Sequence, residues 1–262
     1  MKPRLPLATG IATALLTALA YALIGWLALR LATPPSLASP IYPSAGIALA
    51  AALVHGRWGL LGAALGALAV NLALSAERGQ LGLQVWLAGA AIGLGAALQA
   101  GVGRALIQRW VSQPLTLSEP VDLARFFALG APLACLVSAS VATSALLITD
   151  AVPAAQAGVT WWTWWVGDTL GVLIAAPIVL SLIGRPRADW ARRRVIVALP
   201  MLLASALLAG ATAWVLAAQD QRLQTAFERD AWGLGERLDN QLRGPQRALL
   251  GMHSLFDTQQ KV

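Results

Sequence analysis

Ionisable groups are scarce inside the apolar runs of this chain, so those that occur there carry most of its chemical potential. Asp168 is the one acid lying well inside such a run, seven residues beyond Trp161. At 1.5 Å rise per residue that is about 10 Å below the end of a helix. A carboxyl group in lipid is costly, and it usually faces a bundle interior or water. There it could recognise an ion or small ligand, relay a proton, or simply hydrogen-bond a neighbouring helix. Asn71, Gln84, Tyr42, Thr143 and Ser144 fall at a similar depth in their own runs. The opposite half is poorer, with Gln99 its clearest polar member. The asymmetry fits a shallow pocket or polar network open to one side, and it argues against a continuous conducting path.

Four tryptophans crowd beside Asp168: Trp161, Trp162, Trp164 and Trp165. The plain reading is an interfacial belt. The sharper one is an aromatic rim over the Asp168 pocket, with Trp161 and Trp165 as its members. Gly167 and Gly171 flank the acid as a small-xxx-small pair, as do Gly62 with Gly66 and Gly89 with Gly93. Such pairs let helices approach closely. Other chemistries lack their residues. His55 and His253 are far apart and Cys135 stands alone, so no metal-ligand spacing exists. Neither a P-loop nor a dinucleotide fingerprint can be read. The expectation is a chain without a catalytic set, metal or cofactor.

The elements that must position these residues are membrane helices. The chain has 262 residues, 58% hydrophobic and 12% charged, with mean hydropathy +0.66. A soluble domain carries about 25% charged residues, and disorder requires low hydrophobicity. One cysteine excludes a disulfide scaffold. The expected fold is all-α: a polytopic helical bundle of about seven, at most eight, transmembrane helices. A span needs roughly 20 apolar residues. The first run covers residues 7–29, too long for the core of a signal peptide, and four prolines then break residues 33–43. Residues 44–54 form a short second run, either a tilted helix or half of a re-entrant pair. Further runs cover 58–74, 81–103, 126–148, 161–183 and 195–217, with polar connections at 75–80, 104–119, 149–160 and 184–194.

The net charge of +7 could signal nucleic acid, but the arginines fall in short gaps between apolar runs, as topology demands. Alternating the loops puts Lys2, Arg4, Arg57, Arg104, Arg109, Arg125, Arg185, Arg187 and Arg192–Arg194 on one side, and Arg30 and Arg78 on the other. The N-terminus is therefore expected in the cytoplasm, and residues 219 onward outside. Leu223, Phe227, Ala231, Leu234, Leu238 and Leu242 recur as the stripe of an amphipathic helix. Alone it makes a poor core, so it reads as the start of a larger extracytoplasmic domain; a dimerising coiled coil or a surface helix is the alternative. The organisation expected is a membrane domain over 1–194, an exit helix over 195–218, and an outer segment over 219–262.

Two motifs carry a resemblance. Residues 42–71 hold Pro43, Gly46, Gly56, Arg57, Gly66 and Asn71, and residues 161–180 hold Gly167, Asp168, Gly171 and Pro177. With these, about residues 7–185 resemble the first type of membrane-associated sensor domain (MASE). Residues 238–262 look like the opening of a CHASE extracytoplasmic sensor domain. The resemblance implies a sensory input module in the inner membrane of a bacterium, usually drawn with eight spans. It would pass a signal to a histidine kinase or diguanylate cyclase domain absent from this chain. A homodimer is the expected assembly, the lipid bilayer is the surrounding partner, and the signal is a small molecule or protein of unknown identity. A transporter or channel-like protein is the alternative; it would need polar residues through both leaflets and related halves, and neither is visible.

Overall fold

The computed structural model describes residues 6–30, 39–79, 81–117, 119–188 and 190. The seventh run at 195–217 and the amphipathic tail at 219–262 lie outside the described residues. Within them the chain is all-α: α1 (Leu7–Arg30), α2 (Ser44–His55), α3 (Arg57–Glu77), α4 (Leu83–Trp110), α5 (Pro120–Ala128), α6 (Ala134–Ile148) and α7 (Ala157–Ile183). Five helical segments are long and apolar enough to cross a membrane: α1, α3, α4, the continuous Pro120–Ile148, and Ala154–Ile183. Such helices imply a lipid bilayer around them. The count of seven is therefore not reached among the described residues. The second expected span is the 12-residue α2, about 18 Å long at 1.5 Å per residue and too short to cross.

Helices also run further than the apolar runs that announce them. α4 continues through Arg104 and Arg109 to Trp110, so the polar connection expected over 104–119 shrinks to residues 111–119. α3 extends through Ser75 to Glu77, and α7 starts at Ala157 rather than 161. Backbone hydrogen bonding does not stop where side chains turn polar, and a helix end gains by carrying its charged groups past the apolar zone. At one such end Arg30 donates to Glu77 at 2.8 Å, and the Trp26 indole joins the same carboxylate at 2.9 Å. Both ionic partners are well exposed, so the pair contributes at most about 1 kcal/mol.

α2 is the hub. It packs against α1, α3, α4 and α7, and Ser44–Gly46 and Ala48–Leu53 are buried. A helix apolar all round belongs in the middle of a bundle. Its small side chains fit, because neighbouring backbones press in: a Cβ on Gly59 of α3 would fall 2.4 Å from the Ala51 carbonyl. α1 rides on the outside, packed on α3 and α2, with Leu15, Leu16 and Leu19 exposed in the manner of a lipid-facing stripe. Gly62 and Gly66 form the seam beneath it; added Cβ atoms there would meet Thr17 and the carbonyl of Ala14, or Tyr21 and the carbonyl of Ala18, all within 2.8 Å. Pro132 opens the fourth spanning segment into a π-helical turn over Leu129–Leu133, since proline has no N–H to continue the ladder. The Trp165 indole N–H donates to the Pro132 carbonyl at 2.8 Å, tying that turn to α7.

Candidate functional site

The chain reaches α2 through an irregular segment, Ser39–Pro43, which lies against α7 midway along its length. Prolines at 40 and 43 favour extended backbone around them. The Tyr42 N–H donates to the Gly167 carbonyl at 2.9 Å, and the Ser39 hydroxyl donates to the Ile41 carbonyl at 2.8 Å. Only glycine admits this contact. A Cβ at Gly167 would sit 2.2 Å from the Ser39 carbonyl oxygen, and one at Gly171 only 1.9 Å from that of Tyr42. One turn later Gly46 meets the Gly171 carbonyl and the Ala176 nitrogen, each 2.7 Å from where its Cβ would be. The two sequence motifs are thus halves of one seam, in which Pro43 and Gly46 dock on Gly167, Gly171 and the helix leading to the buried Pro177. Irregular backbone within a membrane bundle is tolerated where protein buries it or where it lines a cavity.

The second condition holds here. Beside the segment is a cavity of about 40 Å³ lined by polar groups from several elements, among them Asp168, Tyr42, Asn71, Tyr21, Ser138 and Trp164. Asp168 is 3% exposed. The Ser138 hydroxyl of α6 donates to its Oδ2, and the Trp164 indole, one turn earlier on α7, is a second polar neighbour. The two tyrosine rings meet edge to face, with centroids 5.9 Å apart. Their hydroxyls are hydrogen-bonded to each other. The Ser44 hydroxyl donates to the Tyr21 carbonyl at 2.8 Å, locking α2 to α1. The Asn71 side-chain N–H donates to the Ala67 carbonyl at 2.8 Å, which leaves its amide oxygen as an acceptor.

Of the residues singled out in the sequence, the structure thus brings Asp168, Tyr42 and Asn71 together. Gln84 is exposed in the first turn of α4 and does not line the cavity. Trp161 and Trp165 stack on each other, ring centroids 6.2 Å apart, and spend their N–H groups on Ser140 and Pro132; neither reaches the cavity, whereas Trp164 does. Asp168 also lies deeper than the tryptophan count implies, about 16 Å from the start of α7 at 1.5 Å per residue. Sequence reasoning passed over Tyr21, Ser138 and Ser39. For Tyr21 and Ser138 a hydroxyl amid an apolar run is the only signal, and many such hydroxyls merely bond the preceding turn, as Thr17 does to the Thr13 carbonyl; Ser39 is one more serine in a proline-broken stretch.

A second polar contact crosses the bundle nearby: the buried Gln99 amide donates to the Cys135 sulfur at 3.2 Å. Thr143, also buried, leaves its hydroxyl without a partner among the described residues. The constellation can hold a small polar guest and fix helix positions.

No curated protein and no solved structure matches the chain. The MASE1 family model matches residues 12–224, most of the chain and all of the segments that build the cavity. On that extent the chain belongs to the MASE1 family of membrane sensor domains.

Proposed function

We propose that this chain is the sensory input module of a bacterial signalling protein, and that the Asp168 cavity is where its signal acts. The observation that carries the reading is a buried carboxyl beside a break in regular structure, with hydrogen-bonding side chains from α1, α3, α6 and α7 around one void. Its volume of about 40 Å³ admits a few waters or a small ion, not a ligand needing several hundred Å³. A guest or proton there alters how Ser39–Pro43 and α2 sit on α7, and packed helices pass such changes on as discrete rearrangements.

In this reading the arginine-rich end of the bundle faces the cytoplasm, the N-terminus lies inside, and residues 219–262 begin a periplasmic CHASE-like domain. The output, a histidine kinase or diguanylate cyclase, follows on the cytoplasmic side, and the module works as a homodimer in the inner membrane. The test is Asp168→Asn in the complete gene product, read as the output domain's phosphorylation or cyclic-di-GMP synthesis at equal abundance. A shifted set-point is expected; an unchanged one removes Asp168 from the mechanism. Orientation is read by impermeant thiol labelling of intact cells, with Gly79→Cys labelled and Arg187→Cys labelled only after permeabilisation. The interrupted backbone beside a charge is also how transporter sites are built. Substrate-dependent flux in proteoliposomes, abolished by Asp168→Asn, would favour that second reading.

A further inference from the structure

A separate cavity of about 710 Å³ opens at the end of the bundle where α2, α4 and α7 finish and α1 and α3 begin. Its wall holds Arg57, Arg104, Arg185 and His55, with the indoles of Trp58 and Trp190 beside them. Among the described residues no carboxylate lines it. Arginines at helix C-termini are often explained by the carbonyls they cap. Arg125 is such a case, donating to the Trp110 carbonyl at 3.4 Å. The three cavity arginines differ: among the described residues none has an ion pair or a hydrogen bond to a carbonyl. Arg104 is the most constrained. Its Nε is buried without an acceptor, and its Nη1 lies 3.0 Å from where a Cβ on Gly56 would be. Arg57 packs over the Trp58 ring at 5.1 Å.

Three arginines on one cavity wall with no acid among the lining residues suit a multivalent oxyanion, and the guanidinium fork matches phosphate. The volume lies in the range of small-molecule sites, and two indoles offer an apolar or planar wall. We propose that this cavity binds a phosphate ester, its phosphate held by Arg57, Arg104 and Arg185 and its remainder packed on Trp58 and Trp190. The ester is either the headgroup of an anionic phospholipid or a soluble phosphorylated molecule.

The experiment uses the full 262-residue chain in detergent micelles, with phosphatidylglycerol, phosphatidylcholine and inorganic pyrophosphate as probes, bound species being counted by native mass spectrometry. Arg104→Gln and Arg185→Gln are compared with the parent; Arg185 is exposed beyond the end of α7, so its loss leaves folding intact. Each variant is expected to weaken binding about tenfold, the scale of one charge-assisted hydrogen bond. Saturable retention of phosphatidylglycerol over phosphatidylcholine, resistant to pyrophosphate, identifies the lipid source. Saturable pyrophosphate binding with the same sensitivity to the variants identifies the soluble source. Absence of saturable binding by either probe, or binding equal in parent and both variants, overturns the proposal.

Discussion

The seam between Ser39–Pro43 and α7 makes a sharp demand on Gly171, and Gly171→Ala tests it. The added Cβ would lie 1.9 Å from the Tyr42 carbonyl oxygen, where ordinary contact begins at 3.4 Å. Segment and helix must therefore part by roughly 1.5 Å, a strain of the kind that costs about 1–3 kcal/mol in a packed interior. The parting also breaks the Tyr42-to-Gly167 hydrogen bond, worth about 1 kcal/mol. Against this stands a gain of about 1 kcal/mol from replacing a mid-helix glycine by alanine. The net loss expected is about 1–3 kcal/mol, or a melting temperature lower by roughly 3–10 °C. The chain supplies its own reporter: the single cysteine, Cys135, is fully buried and becomes reactive toward a fluorogenic maleimide only on unfolding. Gly101→Ala is the matched control, also mid-helix but with no neighbour nearer than 3.8 Å. It should melt at or slightly above the parent temperature. If Gly171→Ala melts with that control, the contact between the two motifs is not what requires glycine, and the account of the seam fails.

Ser138→Ala removes a donor from a buried carboxyl and should destabilise by about 1–3 kcal/mol; with Asp168→Asn in a double-mutant cycle the two effects should couple by at least about 0.5 kcal/mol, and additivity would deny the bond. His55, the last residue of α2, has its pKa lowered by burial and secondarily by Arg185. The unfolded chain then binds the proton more readily, so this contribution to stability is full above the ordinary histidine pKa of about 6.5 and fades as pH falls. His55→Gln should flatten the decline in melting temperature between about pH 7 and pH 5, and an unaltered decline assigns it to other groups.

The helices were legible because twenty apolar residues in a row have few other uses, and Asp168 because an acid there is conspicuous. Tyr42 and Asn71 came from their depth along the chain, and Asn71 also closes a motif of proline and glycine. What the sequence withheld was which faces meet. In a soluble helix the polar stripe marks the outside, whereas here lipid and interior are both apolar, and Leu16 outside and Leu49 inside look alike. Ser138 therefore carried no mark of its aim at Asp168. Trp164 was indistinguishable from its three neighbours, although only it turns inward to the cavity. Gln84 was misjudged for the same reason: its depth could be counted along the chain, but its rotational position could not. The brevity of α2 was visible in residues 44–54. Its place at the hub was not, because nothing in one chain's spacing says that the proline-bounded stretch before it descends halfway along α7.

The π-helical turn at Leu129–Leu133 acts as a phase shifter. It sits between the anchored start of the fourth spanning segment and Ser138, and each residue of a helix advances the face by about 100°. Trimming one residue there to restore an ordinary ladder would leave every hydrophobic letter in place and hydropathy nearly unchanged. It would nevertheless swing the hydroxyl more than a quarter turn away from its carboxyl partner. Among related chains, an insertion or deletion inside this short stretch is thus a more drastic edit than most substitutions within the helices it joins.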